Sequence, residues 1–403
     1  MNTAAVQGLD DAARHDFTPF EGGPYTRFQT SLGLIRKHRP GIGRRVVSAV
    51  LIGWAPLAVL AGFQNLAWRD NPAESLLLDI SLYSRFLIVV PLLIIAEVVC
   101  VPRMAEIART FRSSGLLKDS DLARYEALVA STMRLYNSGT VELAIVGLAY
   151  AQILLFGGTF AFAEITEIST WRAPISAGTR ALSLAGWWWA LVSMPLYLIL
   201  SHIWLWRLFL WGRFLWRMSR LDLELIPAHP DLSGGLKFVG ASVSSFSTLS
   251  FALGVGVAGP VTHLVVFEGY SPFVFKPFVI ALVVLALILF AGPLLVFTRN
   301  LQRAKWQGMI DYGELANGQG REFEREWLRP GAAADRRTPE TPDFSSMADL
   351  CQIASNVFEM KPTLLDIKSV AGLILATLLP FFPVVLTVVP LREIVKGLMS
   401  LLL

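Results

Sequence analysis

Predominantly apolar runs punctuate the chain at Val46–Ala67, Phe86–Val101, Val141–Ala163, Leu184–Leu205, Phe246–Phe267, Pro277–Phe297 and Val370–Pro390. Wound as helices at about 1.5 Å per residue, runs of roughly 20 residues match the ~30 Å hydrocarbon thickness of a bilayer. The second run is short, and Leu82 and Tyr83 extend it past Arg85. The seventh contains LLPFFPVV, where Pro380 and Pro383 each lack a backbone donor and can kink a helix. It is either a kinked span or a re-entrant hairpin. The pattern therefore predicts an all-α polytopic transmembrane bundle of seven, or six, spans. The apolar/polar alternation of β-barrel strands is absent.

Composition agrees with this pattern. Hydrophobic residues make up 54% of the 403 residues and charged residues 16%, against about 25% charged in a typical soluble domain. Residues 1–45 are polar and basic, with no cleavable signal pattern, so the first span is expected to act as an uncleaved signal-anchor. Of the 35 Lys and Arg, 28 lie in residues 1–45, 103–140, 207–240 and 299–368, and 7 in the alternate segments. The positive-inside tendency then places the N-terminus and the three long connections in the cytoplasm. Short external loops leave no ectodomain to bind a partner. Cys100 and Cys351 offer no disulfide framework, and both are expected on or near the reducing side. A net charge of +4 creates no broad basic field, so nucleic acid is not an expected partner.

The expected organisation follows. A basic N-terminal segment (1–45) precedes two spans (46–102) and a pair of cytoplasmic amphipathic helices (103–140) joined at Ser113–Gly115. In the second helix, Leu122, Tyr125, Leu128 and Val129 form a stripe at helical spacing, which predicts packing against the bundle. Four spans follow (141–298), interrupted by an Arg/Trp helix and a turn (207–240). A second polar connection (299–367) contains RPGAAADRRTPETPDF, a predicted loop, and a helix from Ser345 to about Glu359. A Pro-broken span and a tail (368–403) close the order.

The densest motif is His229-Pro230-Asp231-Leu232-Ser233-Gly234-Gly235-Leu236. Pro230 biases His229 to an extended conformation, Asp231 can bond the backbone two residues on, and Gly234 and Gly235 can adopt positive φ. As a turn, the segment reverses the chain between two spans. As a site, His229 titrates near neutrality with Asp231 as its acceptor or as a cation ligand. Just before it, Arg213, Arg217 and Arg220 share a helical face and interleave with Trp204, Trp206, Trp211 and Trp216. That pattern predicts an interfacial belt with anionic lipid headgroups as the partner, or the mouth of an anion path.

Charges at membrane depth cost several kcal/mol unless paired or wet, which makes each a functional candidate. They are Arg85, Glu97, Glu142, His202 and His263, with Arg85 and His263 near external ends. Glu97, Glu142, His202, Arg207, His229 and Asp231 are expected at one cytoplasmic level, where they form an ion or proton vestibule if they converge and interfacial salt bridges if they do not. Gly254, Gly256, Gly259 and Pro260 predict a kinked, closely packed fifth span. There is no P-loop, dinucleotide fingerprint, HExxH or Cys/His cluster, so no cofactor or metal is expected.

The segments SRFLIVVPLLIIAE, WLWRLFLWGRFLWRMSRLDLELIPAHPDLSGGLKFVG and SSMADL…LLPFFPVVL resemble a family of uncharacterised bacterial polytopic membrane proteins. Its mark is an RWLWRLLLW-like helix running into HPDxxGGL, and the resemblance covers most of residues 80–400. It implies a bacterial inner-membrane location and singles out Arg207, His229, Asp231, Gly234 and Gly235, but it implies no activity. Lys237 and Phe238 depart from the Gly-Phe of the family pattern. The expected function is channel-like or transporter-like, passing or sensing a small ion or proton through the cytoplasmic cluster. The alternatives are a non-catalytic scaffold that docks a partner and binds anionic lipid and, more weakly, a lipid-acting enzyme with His229 as base and Asp231 as orienter. Self-association is left open.

Overall fold

The computed structural model describes residues 29–31, 33, 41–161, 169–176, 179–327 and 342–387. Most of the basic N-terminal segment, the loop within RPGAAADRRTPETPDF and the last residues of the tail lie outside them. Six helices are long and apolar enough to cross a membrane: α1 (Ile42–Phe63), α2 (Ile80–Ser113), α5 (Leu184–Met218), α6 (Lys237–Phe267), α7 (Pro272–Phe290) and α10 (Ile367–Leu386). Between them lie α3 (Asp119–Tyr136), α4 (Gly139–Ala161), α8 (Thr298–Trp327) and α9 (Pro342–Glu359). A seventh crossing exists if α3 and the Gly139–Leu155 part of α4, which meet at 44°, count as one bent span. The chain is an all-α, multi-pass membrane protein. The difference between six and seven thus falls on the third predicted span and not on the Pro-broken last one. The strand content among the described residues is a two-residue pair, β1 (Ile175–Ser176) with β2 (Thr179–Arg180).

Two spans are much longer than predicted. α2 has 34 residues and α5 has 35, each about 50 Å at helical rise. The apolar runs end earlier because both helices continue, without a break, into polar sequence beyond the bilayer. The predicted helix at 103–113 is therefore the end of α2, and the chain turns where expected, with Gly115 at φ 72°. The Arg/Trp segment is likewise the second half of α5. Helix α10 bends at Pro380 through a short 3₁₀ turn, Leu379–Phe381.

Proline also sets defects inside α2 and α5. Pro91 and Pro195 have no N–H to donate to the carbonyls of Leu87 and Leu191. The turn before each widens to π geometry, Ser84–Val89 in α2 and Trp189–Ser193 in α5. The Leu191 carbonyl released this way accepts the Tyr150 hydroxyl at 3.0 Å.

Packing centres on α6, which contacts α2 and α10. Its glycines permit this. A Cβ on Gly254 would strike the Thr377 carbonyl of α10, and one on Gly259 would strike the Ser84 side chain of α2. Small residues allow such close helix approach where lipid supplies no hydrophobic drive between helices. At the end carrying the long connections, Phe111 packs against Phe214, Phe238 and Phe297 and joins α2, α5, α6 and the turn before α8. Within α3, Tyr125, Leu128 and Val129 are buried, as their spacing predicts.

Candidate functional site

Charged and polar side chains gather at both ends of the bundle. At the long-connection end, the Glu97 carboxylate of α2 sits between two arginines. One oxygen pairs with Arg45 of α1, and the other accepts from Arg207 of α5 at 2.9 Å. Both arginines are about 96% buried. Arg207 also lies over the rings of Trp204 and Tyr136 and hydrogen-bonds Tyr136. Glu142 is within electrostatic reach of Tyr136. Arg103, six residues further along α2, pairs with Glu106.

Convergence of the six predicted residues is partial. Glu97 and Arg207 belong to this cluster, and Glu142 reaches it only through its electrostatic influence on Tyr136. His202 bonds its own helix through Nδ1 to the Leu198 carbonyl at 2.6 Å. His229 and Asp231 lie in a separate turn, where Asp231 accepts the amides of Ser233, Gly235 and Lys237 at 2.8, 3.1 and 3.1 Å. The last of these caps the start of α6. His229 Nδ1 stands 2.9 Å from the same carboxylate. Burial alone would raise the Asp231 carboxyl. The three amides and His229 outweigh it and hold the group below its ordinary value of 3.8.

The turn also joins the bundle to the polar helices. Gly234 and Gly235 have φ of 62° and 91°, and Leu232 has φ 55°. Pro230 stands between His229 and Asp231 at the corner. The Leu232 carbonyl accepts the Lys361 amide at 2.8 Å, and the Ala228 carbonyl accepts Asn356 at 3.3 Å. All three oxygen–amide contacts of Asp231 lie within its own turn, which is the arrangement of a structural cap.

Two members of the predicted lipid belt need correcting. Trp204 is 4% exposed and Trp211 0%, so neither meets a headgroup. Trp204 faces α2, donating from Nε1 to the Leu93 carbonyl at 2.9 Å, and Trp211 stacks on Phe214. Period alone could not separate these inward rings from Trp216, which is exposed beneath Arg220 at 4.2 Å. Trp206 is half-buried and stacks on Phe209. Arg213 and Arg217 reach Ser131 of α3 at 3.5 and 3.4 Å, which ties α5 to the amphipathic helix.

The other end of the bundle encloses a cavity of about 530 Å³. Its wall includes Asp79, Arg85, Gln152, Trp171, Arg172 and His263. Asp79 caps α2 through the Leu82 amide at 3.1 Å, and its second oxygen accepts Trp171 Nε1 at 3.1 Å and Arg172 at 2.8 Å. The Arg172 guanidinium lies over Trp171 and Trp189, 5.0 and 4.7 Å from the ring centroids. The loop carrying it is clamped by Ser183, whose amide donates to the Arg172 carbonyl at 2.9 Å, and a Cβ on Gly186 would strike that carbonyl.

Arg85 is half-buried in this wall and has no hydrogen-bond or ion-pair partner among the described residues. Buried Gln152 Oε1, Arg172 Nε, Trp189 Nε1 and His263 Nδ1 also lack partners. Unpaired buried polar atoms are rare and usually mark a bound water, ion or ligand. Both π turns reach this cavity, one bringing Arg85 and the other Trp189, and such defects recur at functional sites. Arg85 and His263 were visible in the sequence as intramembrane charges. Asp79, Gln152, Trp171 and Arg172 were not, because they come from loops and from a helix that meet in the fold. Arg85 and Trp189, each six residues before a proline within an apolar run, are a signal in the sequence that could have pointed there.

No group of three or more His, Cys, Asp or Glu side chains is placed to hold a metal ion among the described residues. Comparison of the chain with protein-family models, curated proteins and solved structures finds no match.

Two predictions follow from this geometry. Glu97→Gln leaves two buried guanidiniums without a counter-charge, and breaking a buried pair costs about 3–5 kcal/mol. Thermal unfolding in detergent should fall accordingly, and a melting temperature equal to the wild type would contradict the cluster's role. Asp231→Ala should cost about 1–2 kcal/mol as a lost cap and should hasten proteolysis within α8 and α9. Because the folded pKa of Asp231 is depressed, its contribution is complete above about pH 4 and is lost as pH falls through the lower folded value. Equal proteolysis of variant and wild type at neutral pH would refute the docking role.

Proposed function

We propose that this protein moves a small solute across the membrane, with its binding site in the cavity around Arg85. The observation that carries this reading is that cavity, a half-open chamber at one end of the bundle whose largely apolar wall carries a cation with no bonded partner among the described residues. A guanidinium at membrane depth is costly unless something wets or neutralises it. A purely structural wall would more cheaply be apolar. By the Lys/Arg distribution the cavity opens away from the cytoplasm. The Arg45–Glu97–Arg207 cluster then holds α1, α2 and α5 together at the cytoplasmic end, on the far side from the cavity. On this reading the predicted cytoplasmic vestibule is the closed end of the path. The bacterial inner membrane remains the proposed location, on the family resemblance.

Reconstituted protein should accumulate one chemical class from a mixed pool of small anions, cations and neutral solutes above the level of empty liposomes, read by mass spectrometry. Uptake equal to empty liposomes for every class would contradict the proposal.

A second reading, docking of a protein partner, is favoured by Trp306 and Ile310. These lie one turn apart on the polar helix α8 and are 68% and 56% exposed, an unusual pair on a helix outside the bilayer. A partner that co-purifies stoichiometrically with the wild type should be lost with Trp306→Glu, and retention would exclude this face.

A further inference from the structure

Building on the solute-cavity reading, we propose that the ligand is an organic monoanion, a carboxylate held by Arg85 with its apolar body against the indoles and aliphatic side chains of the wall. Charge is the first argument. Of the four charged residues in the wall, Arg172 and Asp79 neutralise one another at 2.8 Å, and Glu268 is exposed at the mouth. Among the described residues of the inner wall, Arg85 is the charged group with no hydrogen bond or ion pair, and Asp79 acts on it only through space. Asp79 attracts Arg85 through space but bonds Leu82, Trp171 and Arg172 instead, leaving the Arg85 fork without a bonded acceptor among the described residues. A guanidinium whose donors are unbonded suits a negative charge, and its planar fork matches a carboxylate with two parallel hydrogen bonds.

The unused hydrogen-bonding groups point the same way. Arg85 itself, Arg172 Nε–H and Trp189 Nε1–H are donors, and Gln152 Oε1 is an acceptor. Donors therefore exceed acceptors, as an anion requires. His263 Nδ1 takes either role with its tautomer.

Shape excludes a bare inorganic ion. About 530 Å³ is within the range of organic-ligand pockets, far more than a monatomic anion fills. Trp171, Trp189, Met194, Leu198 and Leu264 present apolar surface that would leave a hydrated phosphate or chloride poorly contacted. The wall matches a molecule with one charged end and one apolar end. The defects in α2 and α5 fix that polarity, since the two proline-induced π turns set Arg85 and Trp189 in one wall.

The test is equilibrium binding of radiolabelled benzoate to the full-length protein in nanodiscs of zwitterionic lipid, with benzamide, phosphate and chloride as competitors. Benzoate should bind saturably, and benzamide, its neutral isostere, should compete at least about 100-fold more weakly, because it cannot pair with Arg85. Arg85→Gln should weaken benzoate about tenfold or more, and Arg85→Lys should retain part of the affinity. Without ligand, Arg85→Gln should melt at or above the wild-type temperature, since it removes an unpaired charge. A clear drop in that temperature would show Arg85 to be a structural partner and overturn the inference. Benzamide competing as well as benzoate would overturn the anion while leaving a solute cavity. Phosphate or chloride competing as well would overturn the organic body. Absence of saturable benzoate binding would overturn the inference, and the uptake assay would then decide separately whether the solute reading survives.

Discussion

Two guanidiniums, Arg45 from α1 and Arg207 from α5, converge on the Glu97 carboxylate of α2. Lipid offers helices little hydrophobic incentive to associate, so close packing and satisfied polar groups must hold them together. Three helices are fixed to one another here at a depth where any one of these charges alone would be prohibitive. Trp204, one turn before Arg207, adds a bond to the Leu93 carbonyl, and Tyr136 brings α3 to the same point. The turn from His229 to Gly235 depends on this arrangement, because α5 delivers it and Asp231 then starts α6. Helix α9 docks on the turn in its own right, through Asn356 and, just past its end, the Lys361 amide.

The opposite end follows a different rule. There local helix defects and a loop ion pair shape the wall. Pro91 and Pro195 widen the turns before them, and the loop around Arg172 is pinned to Asp79 and Ser183. Arg85 lies 12 residues before Glu97 on α2, about 18 Å along the helix. One helix thus carries an ion-paired carboxylate at one end and, at the other, a guanidinium with no bonded partner among the described residues. That asymmetry is what the proposed solute path, closed on one side, would use. It is also why the functional weight rests on the cavity and not on the denser motif at His229.

The spans were legible because an apolar run is both a composition and a length, and each is read directly from the chain. Their ends were not. The hydrocarbon boundary and the helix terminus are different things, and α2 and α5 continue well past the bilayer on ordinary helix-forming residues such as Met104, Ala105 and Leu208. The stripe of Tyr125, Leu128 and Val129 was legible for the usual reason, that period maps onto burial. Trp204 and Trp211 were misplaced because an aromatic ring suits a headgroup region and a helix interface equally well, and only the neighbouring helix distinguishes them. Of the six residues expected at one level, Glu97 and Arg207 meet, His202 bonds its own helix, and His229 and Asp231 form a separate turn. His202, five residues before Arg207, points to a different side of α5. The cavity was the least legible part. Its wall draws on five separate segments, and Asp79, Trp171 and Arg172 become meaningful only when two loops close over the same helix ends.

Access to the cavity is the most direct measure of the central claim. A single thiol can be placed in the wall as Leu198→Cys, on a background where exposed Cys351 is replaced by serine and buried Cys100 is retained. Vesicles of known orientation are then treated with a membrane-impermeant thiol reagent. The account predicts labelling of Cys at 198 only from the face opposite the long basic connections. Labelling only from the face that carries those connections, or none from either face in folded protein, would contradict it.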